Sequence, residues 1–322
     1  MIYDLIIIGG GTAGAAGAVY AARKQLKTLI ITTDFGGQST VSSDIQNWIG
    51  TPSISGNDLA GNLKKHILAY ADNIVDIKEG EKVTAIKNND GIFSVTTDQK
   101  NVYQSKTILI AAGSSRRKIT VPGADRLEHK GITYCASCDG PLFAGQDVAV
   151  IGGGNAGFET AAQLLAYCNS VTILHHGDAF KADPIIVEKV LKNPKMKALL
   201  NAETVEIYGE TFVEGIKYKP ARPSVWSGGT GDKKTGEIHD LKVKGIFVEI
   251  GQIPNTDFAK GLVDLDEYNR IKIDPWTQKT STPGIWAAGD CTTVLYHQNN
   301  IAAGDAVKAL ENIYLYLHAR TP

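Results

Sequence analysis

The chain has little cysteine, little net charge and no long hydrophobic run. Four cysteines in 322 residues are too few for a disulfide-stabilised scaffold, and this usage predicts a reducing, cytoplasmic location. With 33 basic and 34 acidic residues, the formal net charge is -1, so no global field favours nucleic acid or a membrane as a partner. The apolar start of the chain is too short to span a membrane and follows no basic segment, which predicts a strand rather than a signal peptide.

The sequence does contain one pattern twice: an apolar run, a glycine-rich turn that opens a helix, and a second apolar run. The first copy has its apolar runs at 5–8 and 28–31. The second has them at 148–151 and 171–174, with a helix predicted over 158–167. Each copy is a βαβ unit, whose ligand crevice lies at the carboxyl ends of its parallel strands. The predicted fold class is α/β, with two Rossmann-like dinucleotide-binding domains.

Both turns have the G-x-G-x-x-G spacing of a dinucleotide site. Glycine lets the backbone approach a pyrophosphate, and the following helix N-terminus offers free N–H groups and positive partial charge. One such motif alone would also fit an ordinary tight turn, but here each lies between a strand and a helix. The candidate nucleotide-binding residues are Gly9, Gly11 and Gly14 in the first motif, and Gly152, Gly154 and Gly157 in the second.

Two of the cysteines, Cys135 and Cys138, form a C-x-x-C motif that is followed by Asp139. Beside two dinucleotide folds, this motif predicts a redox-active pair. A zinc site is the alternative, but it needs two more ligands and the other cysteines, Cys168 and Cys291, are isolated, so no metal is predicted. Asp139 is a candidate for moving a proton to or from a thiolate, and a helix-capping or turn role is its alternative.

The rest of the chain carries weaker signals. A turn at 88–91 separates two β-rich runs, 83–86 and 93–96, and predicts a hairpin. A second β-rich region is interrupted at 220–240 by a Gly/Ser/Pro/Lys-rich stretch that predicts a long, exposed and mobile loop. An amphipathic helix is predicted over 301–317, either for core packing or for dimerisation.

Together these motifs resemble the low-molecular-weight thioredoxin reductases and the flavoprotein subunit of bacterial alkyl hydroperoxide reductase. The similarity covers essentially the whole chain and is carried by GGGTAG, GGQST, QNWIG, CASCDG, GGGNAGFE and AAGDCTT. It implies an FAD-binding domain at 1–114 and 248–322, with an inserted pyridine-nucleotide domain at 115–247 that carries the cysteines. The resemblance implies FAD contacts, beyond the first glycine motif, from Gly37, Gln38, Asn47, Asp290 and Gln298.

The resemblance also implies an activity. Electrons would pass from NADH or NADPH through FAD and the cysteine pair to a thioredoxin-like or glutaredoxin-like protein, and the enzyme would be a homodimer. Cys138 would face the flavin, while Cys135 would attack the partner's disulfide. Because the first glycine motif lies so close to Met1, the N-terminal redox domain of the peroxide-linked relative is not expected, and a separate carrier would be needed.

Two departures from the family pattern bear on the electron donor. NADPH-using relatives carry paired arginines and a further arginine that bind the 2′-phosphate. Here His176 and Gly177 replace the pair and only Lys181 keeps a fixed charge, which predicts NADH, although no acidic residue stands at the very end of the preceding strand to hold an NAD ribose. The segment around Gln298, Tyr-His-Gln-Asn at 296–299, also differs from the Arg-Gln-Ala of strongly NADPH-using relatives.

These departures leave two alternatives open. One is a flavin disulfide enzyme that does not use pyridine nucleotide, either a ferredoxin-dependent thioredoxin reductase or a dithiol oxidase. The retained second glycine motif speaks against complete loss of the nucleotide. The other alternative is an idle flavin-binding sensor, against which the intact C-x-x-C-D speaks.

Overall fold

The computed structural model describes residues 1–42, 44–220 and 237–318 of the chain. It divides into two compact units: unit 1 is Met1–Ser115 with Gln252–Pro322, and unit 2 is Arg116–Gly251. Most of the loop predicted at 220–240 lies outside the described residues. Among the described residues, no helix has the length and apolar character needed to cross a membrane.

The strands and helices are numbered in chain order. The segment before unit 2 holds β1 (Ile2–Gly10), α1 (Thr12–Arg23), β2 (Thr28–Phe35), α2 (Gly56–Ala71), β3 (Val75–Glu79), β4 (Val83–Asn89), β5 (Ile92–Thr97), β6 (Val102–Ile110) and β7 (Ser114–Arg116). Unit 2 holds α3 (Ala124–Leu127), β8 (Ile132–Thr133), α4 (Ala136–Asp139), β9 (Asp147–Ile151), α5 (Asn155–Leu164), β10 (Ser170–Leu174), α6 (Pro184–Leu191), β11 (Met196–Leu199), β12 (Ala202–Tyr208), β13 (Gly215–Pro220), β14 (His239–Lys242) and β15 (Gly245–Val248). The last segment holds β16 (Gln252–Pro254), β17 (Ile285–Ala287) and α7 (Asn299–His318).

Unit 1 is built on a seven-stranded sheet. Strands β3, β2, β1, β6 and β17 pair in parallel, and β4 and β5 extend the sheet as an antiparallel hairpin. The side chains of residues 5–8 are buried on both faces, which explains why β1 is a continuous apolar run rather than an alternating one. The predicted hairpin is confirmed, and its two-residue turn places Asp90 and Gly91 at positive φ, 52° and 88°.

Unit 2 repeats the construction with a five-stranded parallel sheet in the order β11-β10-β9-β15-β8. A separate antiparallel sheet, β12-β13-β14, completes the unit. The predicted α/β class with two Rossmann-like parallel sheets is therefore confirmed. Val248, the last residue of β15, pairs with Ile151 in this second sheet.

Helix α5 differs from the predicted bounds, whereas helix α7 agrees with the prediction. The prediction of a helix over 158–167 is wrong in its bounds, because α5 begins directly after Gly154, the N-cap, and ends at Leu164. Helix α7 confirms the predicted C-terminal helix. It buries its apolar stripe, including Ala306, Leu310 and Ile313, in the same core cluster as α1, so packing within unit 1 accounts for its amphipathic pattern.

Candidate functional site

Cys135 and Cys138 form a disulfide at the start of α4, with their Cα atoms 5.3 Å apart. Both residues are partly exposed. Strand β8 ends two residues before Cys135, so the pair stands where a parallel strand of unit 2 leaves the sheet. The Sγ atom of Cys135 caps α4 by accepting a hydrogen bond from the Cys138 amide, 3.2 Å away.

Asp139 ends the same helical turn. Its amide donates to the Cys135 carbonyl at 3.0 Å, and its carboxylate accepts a hydrogen bond from the Thr133 hydroxyl at the end of β8. The backbone of Asp139 therefore stabilises the turn while its side chain lies on the β8 side of the cysteine pair. The proton-transfer role of Asp139 stays a prediction.

The other two cysteines are buried in the cores. Burial raises the pKa of Cys168 to about 11 and the pKa of Cys291 to about 12. Their thiols donate to the backbone carbonyls of Phe143 and Ala288, at 3.4 Å and 3.5 Å. Within the described ranges, no group of three His, Cys, Asp or Glu side chains is arranged to hold a metal ion.

The first glycine motif joins β1 to α1, and its three glycines meet different surroundings. A Cβ atom on Gly9 would stand 2.3 Å from the carbonyl oxygen of Ala111, and one on Gly14 would stand 1.9 Å from the carbonyl oxygen of Gly9. These two glycines are therefore required by packing within the protein. A Cβ on Gly11 would meet no described atom within 4 Å, and the φ of Gly11, -72°, suits any residue.

Gly37, Gln38, Asn47 and Gln298 lie around the start of α1. A Cβ on Gly37 would stand 3.8 Å from the Cα atom of Gly11. The Gln38 side-chain amide donates to the Ser114 hydroxyl at 3.1 Å. The Asn47 amide donates to the Gln298 side-chain oxygen, also at 3.1 Å. Segments that are far apart in sequence are thus hydrogen-bonded along one edge of unit 1.

Asn299, a residue that the sequence analysis did not select, joins these segments. Its side-chain oxygen accepts hydrogen bonds from the hydroxyls of Thr12 and Ser39, at 3.2 Å and 3.0 Å. Asp290 follows β17, and its carboxylate lies 3.8 Å from the Nδ1 atom of His297. The predicted FAD residues therefore fall on segments that follow the carboxyl ends of β1, β2 and β17.

The second glycine motif, between β9 and α5, repeats this arrangement. A Cβ on Gly152 would stand 2.1 Å from the carbonyl oxygen of Glu249, and one on Gly157 would stand 2.0 Å from the carbonyl oxygen of Gly152. A Cβ on Gly154 would meet no atom of the described chain within 4 Å, and its φ of -93° is ordinary. Both motifs therefore leave one glycine that neither packing nor backbone conformation requires.

An open glycine before an uncapped helix N-terminus fits a ligand phosphate. Neither α1 nor α5 has a side-chain cap among the described residues, so the first N–H groups of each helix stay available to an anion. The missing Cβ at Gly11 and Gly154 lets a pyrophosphate contact the backbone there. The residues present thus fit one dinucleotide in each unit.

The end of β10 is where a Rossmann fold reads the adenosine ribose. His175 is buried there, and its Nδ1 accepts a hydrogen bond from the Gly153 amide at 3.2 Å. Burial, together with the neighbouring His176, lowers the pKa of His175, so its imidazole is neutral at pH 7. A Cβ on Gly177 would stand 2.7 Å from the Nε2 atom of His175.

A cleft of about 310 Å³ opens at this end of the second sheet. Its lining includes four charged or titratable residues, Arg117, Lys118, His176 and Glu203. Lys118 forms an ion pair with Glu128, with a nitrogen–oxygen distance of 2.9 Å. The Ala202 amide donates to the His175 carbonyl at 2.8 Å, which places Glu203 beside the end of β10.

Sequence comparisons agree with this geometry. The family described as pyridine nucleotide-disulphide oxidoreductase matches residues 3–307. The chain belongs to this family. Its curated relatives include an alkyl hydroperoxide reductase component of Escherichia coli, 39% identical over 316 residues, and an NADH dehydrogenase of Bacillus subtilis, 36% identical over 315 residues; each alignment covers 98% of this chain and 58% of the relative. The chain thus spans under two thirds of the length of these relatives.

Solved structures point to the same branch of the family. Thioredoxin reductase from Streptococcus pyogenes is 32% identical, has a TM-score of 0.86, and the match covers 99% of both chains. The resemblance to low-molecular-weight thioredoxin reductases is therefore confirmed. The chain is similar to a thioredoxin reductase over 99% of its length, and membership of the family implies FAD and a pyridine nucleotide as cofactors.

Glu249 is a further residue that the sequence analysis did not select. It follows β15, and its carboxylate accepts a hydrogen bond from the Thr160 hydroxyl of α5 at 2.8 Å. Burial raises the pKa of Glu249 to about 7, and Arg116 offsets this only in part. The signal was a single acidic residue directly after the apolar run 245–248, at the carboxyl end of a parallel strand.

We expect Glu249→Gln to stabilise the protein above neutral pH but not in acid. Between about pH 4.5 and pH 7 the unfolded chain releases the Glu249 proton while the folded protein retains it, so the wild type loses stability as the pH rises. The loss is roughly 1–3 kcal/mol once both states are ionised. Melting temperatures of the two proteins should therefore differ by a few degrees at about pH 8 and agree at about pH 4.5. An equal difference at both pH values would contradict a proton-linked cost.

Proposed function

We propose that this chain is an NADH-dependent, FAD-containing reductase that transfers electrons through the Cys135–Cys138 disulfide to a thioredoxin-like or glutaredoxin-like protein. The observation that carries the proposal is the partly exposed disulfide of unit 2, in a chain whose two units each have an open glycine at a helix N-terminus. A homodimer and a cytoplasmic location stay predictions of the family resemblance.

Unit 1 would hold FAD. Gly11 and the free N–H groups of α1 would contact its pyrophosphate, and Gly37, Gln38, Asn47, Asp290 and Gln298 would line the rest of the cofactor. The hydrogen bonds between these segments, such as Asn47 to Gln298 and Thr12 to Asn299, would hold the lining in place before the cofactor binds. When bound, FAD would supply two-electron reducing power to the disulfide.

The cysteine pair would carry the electrons to the partner. Reduction of the Cys135–Cys138 bond takes two electrons and two protons and gives two thiols. The Cys135 thiolate then attacks a sulfur of the partner's disulfide, one partner thiolate leaves, and a mixed disulfide forms. Cys138 attacks the Cys135 sulfur, which restores the internal disulfide and releases the second partner thiolate. Asp139 would exchange the protons of these steps.

Unit 2 would bind NADH in preference to NADPH. The buried His175 is neutral at pH 7, and Lys118 is already paired with Glu128. This leaves Arg117 as the cation of the cleft lining that would meet a 2′-phosphate, where the NADPH-using pattern has three arginines. Glu203 supports the same choice. Its carboxylate lies 3.6 Å from the Lys219 ammonium and beside the end of β10, where it would accept hydrogen bonds from a ribose diol and repel a phosphate. Glu203 thus offers the acidic group that β10 itself lacks.

The nucleotide preference predicts the outcome of a direct test. Mixed anaerobically with the FAD-loaded protein at equal concentrations, NADH should bleach the flavin absorbance at least about tenfold faster than NADPH, since even one unsatisfied or repelled phosphate costs about 1.4 kcal/mol. Glu203→Gln should lower the ratio of the bleaching rate with NADH to that with NADPH. Equal rates for both nucleotides would contradict the NADH preference, while no bleaching by either would favour the ferredoxin-dependent or dithiol-oxidase alternative.

A further inference from the structure

Glu249 lies on the nicotinamide side of the second dinucleotide site. In the sheet order β10-β9-β15, the glycine motif follows the central strand β9. A Rossmann fold holds the adenosine ribose at the end of the next strand along the chain, which here is β10. The other half of the dinucleotide crosses the glycine turn to the opposite side, toward the carboxyl end of β15. Glu249 is the first residue after β15, and its carbonyl packs against Gly152 of the turn.

The Glu249 carboxyl is held in place by a hydrogen bond, and its surroundings offset the effect of burial on its pKa only in part. The Thr160 hydroxyl, on the second turn of α5, donates to it at 2.8 Å. The charged groups that act on it are Arg116 of β7, which favours the carboxylate, and Glu159 of α5, which opposes it. Burial raises its pKa to about 7, because this effect outweighs the lowering by the Thr160 hydrogen bond and by Arg116, while Glu159 adds to the rise. A half-buried carboxyl with a pKa near neutrality responds readily to a new charge.

We propose that Glu249 is a binding group for the nicotinamide half of the nucleotide and makes the protein discriminate by charge between its oxidised and reduced forms. The inference rests on the proposed nucleotide function. The oxidised nicotinamide ring is a cation and the reduced ring is neutral. A nearby carboxylate therefore attracts the oxidised form alone, and binding of the oxidised form expels the proton that Glu249 shares with solvent.

As a consequence, the preference for the oxidised over the reduced nucleotide would depend on pH, and so would the release of the oxidised product. An opposite charge within a few ångströms lowers the pKa of a carboxyl by about one unit or more. By linkage, the affinity for the oxidised form relative to the reduced form then rises about tenfold or more from acid to alkaline pH. Below neutrality the oxidised product leaves more readily, while above neutrality it competes better with the reduced donor.

The test measures binding rather than turnover. The FAD-loaded protein is titrated calorimetrically with NAD⁺ and with tetrahydro-NAD, which has an uncharged ring and cannot reduce the flavin, at about pH 5.5 and about pH 8.5. We expect the NAD⁺ to tetrahydro-NAD affinity ratio to rise about tenfold between these pH values. Titrations in buffers of different ionisation enthalpy should also show release of about half a proton per NAD⁺ near pH 6.5, and none for tetrahydro-NAD.

Two variants locate the effect. Glu249→Gln keeps the size of the side chain and an acceptor for Thr160, so it should bind both ligands with a ratio that does not change with pH and should release no proton. Glu188→Gln, which removes an exposed carboxylate of α6 that is paired with Lys192, should keep the wild-type pH dependence of the ratio. A pH-independent ratio in the wild type, or a pH-dependent ratio that survives in Glu249→Gln, would overturn this inference while leaving the nucleotide function intact. If neither NAD⁺ nor tetrahydro-NAD bound, both the nucleotide function and this inference would be overturned.

Discussion

Cys138→Ser should abolish disulfide reduction while leaving FAD bound. The substitution removes the Cys135–Cys138 bond, the only disulfide among the described residues, and with it the group that would pass electrons onward. Losing one member of a pair that acts as a unit costs roughly a thousandfold or more in turnover. The predicted FAD residues all lie in unit 1, whereas the cysteines lie in unit 2, so FAD should stay bound.

The measurement separates the two halves of the reaction. NADH-dependent reduction of the chromogenic disulfide DTNB, and of a thioredoxin, should be lost in Cys138→Ser. NADH-dependent reduction of ferricyanide, which needs only the flavin, should stay within about twofold of the wild type. Ser137→Ala is the matched control, because Ser137 stands between the cysteines and its hydroxyl only donates to Gln163, at 3.1 Å. Unchanged DTNB turnover in Cys138→Ser would disprove the assignment of the cysteine pair.

The pattern of the chain predicted those parts of the fold that local sequence determines. The apolar runs of β1, β2, β9 and β10 are buried parallel strands, and burial on both faces gives such strands their continuous apolar composition. The bounds of α5 were predicted less well. Its first turn consists of the motif residues Asn155, Ala156 and Gly157, which give no apolar periodicity, so the pattern placed the start of the helix too late.

The residues of the candidate site also fall into those that local sequence predicts and those that it does not. Glycine spacing and the C-x-x-C motif are local features and can be seen in the sequence alone. Glu203, Glu249 and Asn299 could not be found this way, because each comes to its site on a different element that is far from the motif along the chain. Which element lies beside a motif depends on sheet order, here β10-β9-β15, and sheet order is a long-range property.

Gly11 and Gly154, the two motif glycines with room for a Cβ atom, offer the sharpest test of which unit binds which cofactor. Gly11→Ala and Gly154→Ala place a methyl group where the structure has room for it and where φ is ordinary, so both variants should fold as the wild type does. A bound pyrophosphate would collide with that methyl group, and such a clash costs about 1–3 kcal/mol. Gly11→Ala should therefore weaken FAD binding about 10- to 100-fold and leave nucleotide binding unchanged. Gly154→Ala should do the reverse.

Loss of binding without loss of stability is the result that distinguishes a ligand contact from a packing defect. Gly14→Ala provides the contrast, because its Cβ would stand 1.9 Å from the Gly9 carbonyl oxygen and should lower the melting temperature of the protein. Gly61→Ala, within α2, is the control for an added methyl group, since a Cβ there meets no described atom within 4 Å and no ligand is expected. It should leave both affinities unchanged and should not lower the melting temperature, because alanine is favoured over glycine inside a helix. FAD and NAD⁺ affinities are measured for each variant beside its melting temperature. If Gly11→Ala and Gly154→Ala weakened the same ligand, or neither, then assigning one dinucleotide to each unit would be wrong, because each open glycine contacts a phosphate only in the unit that carries it.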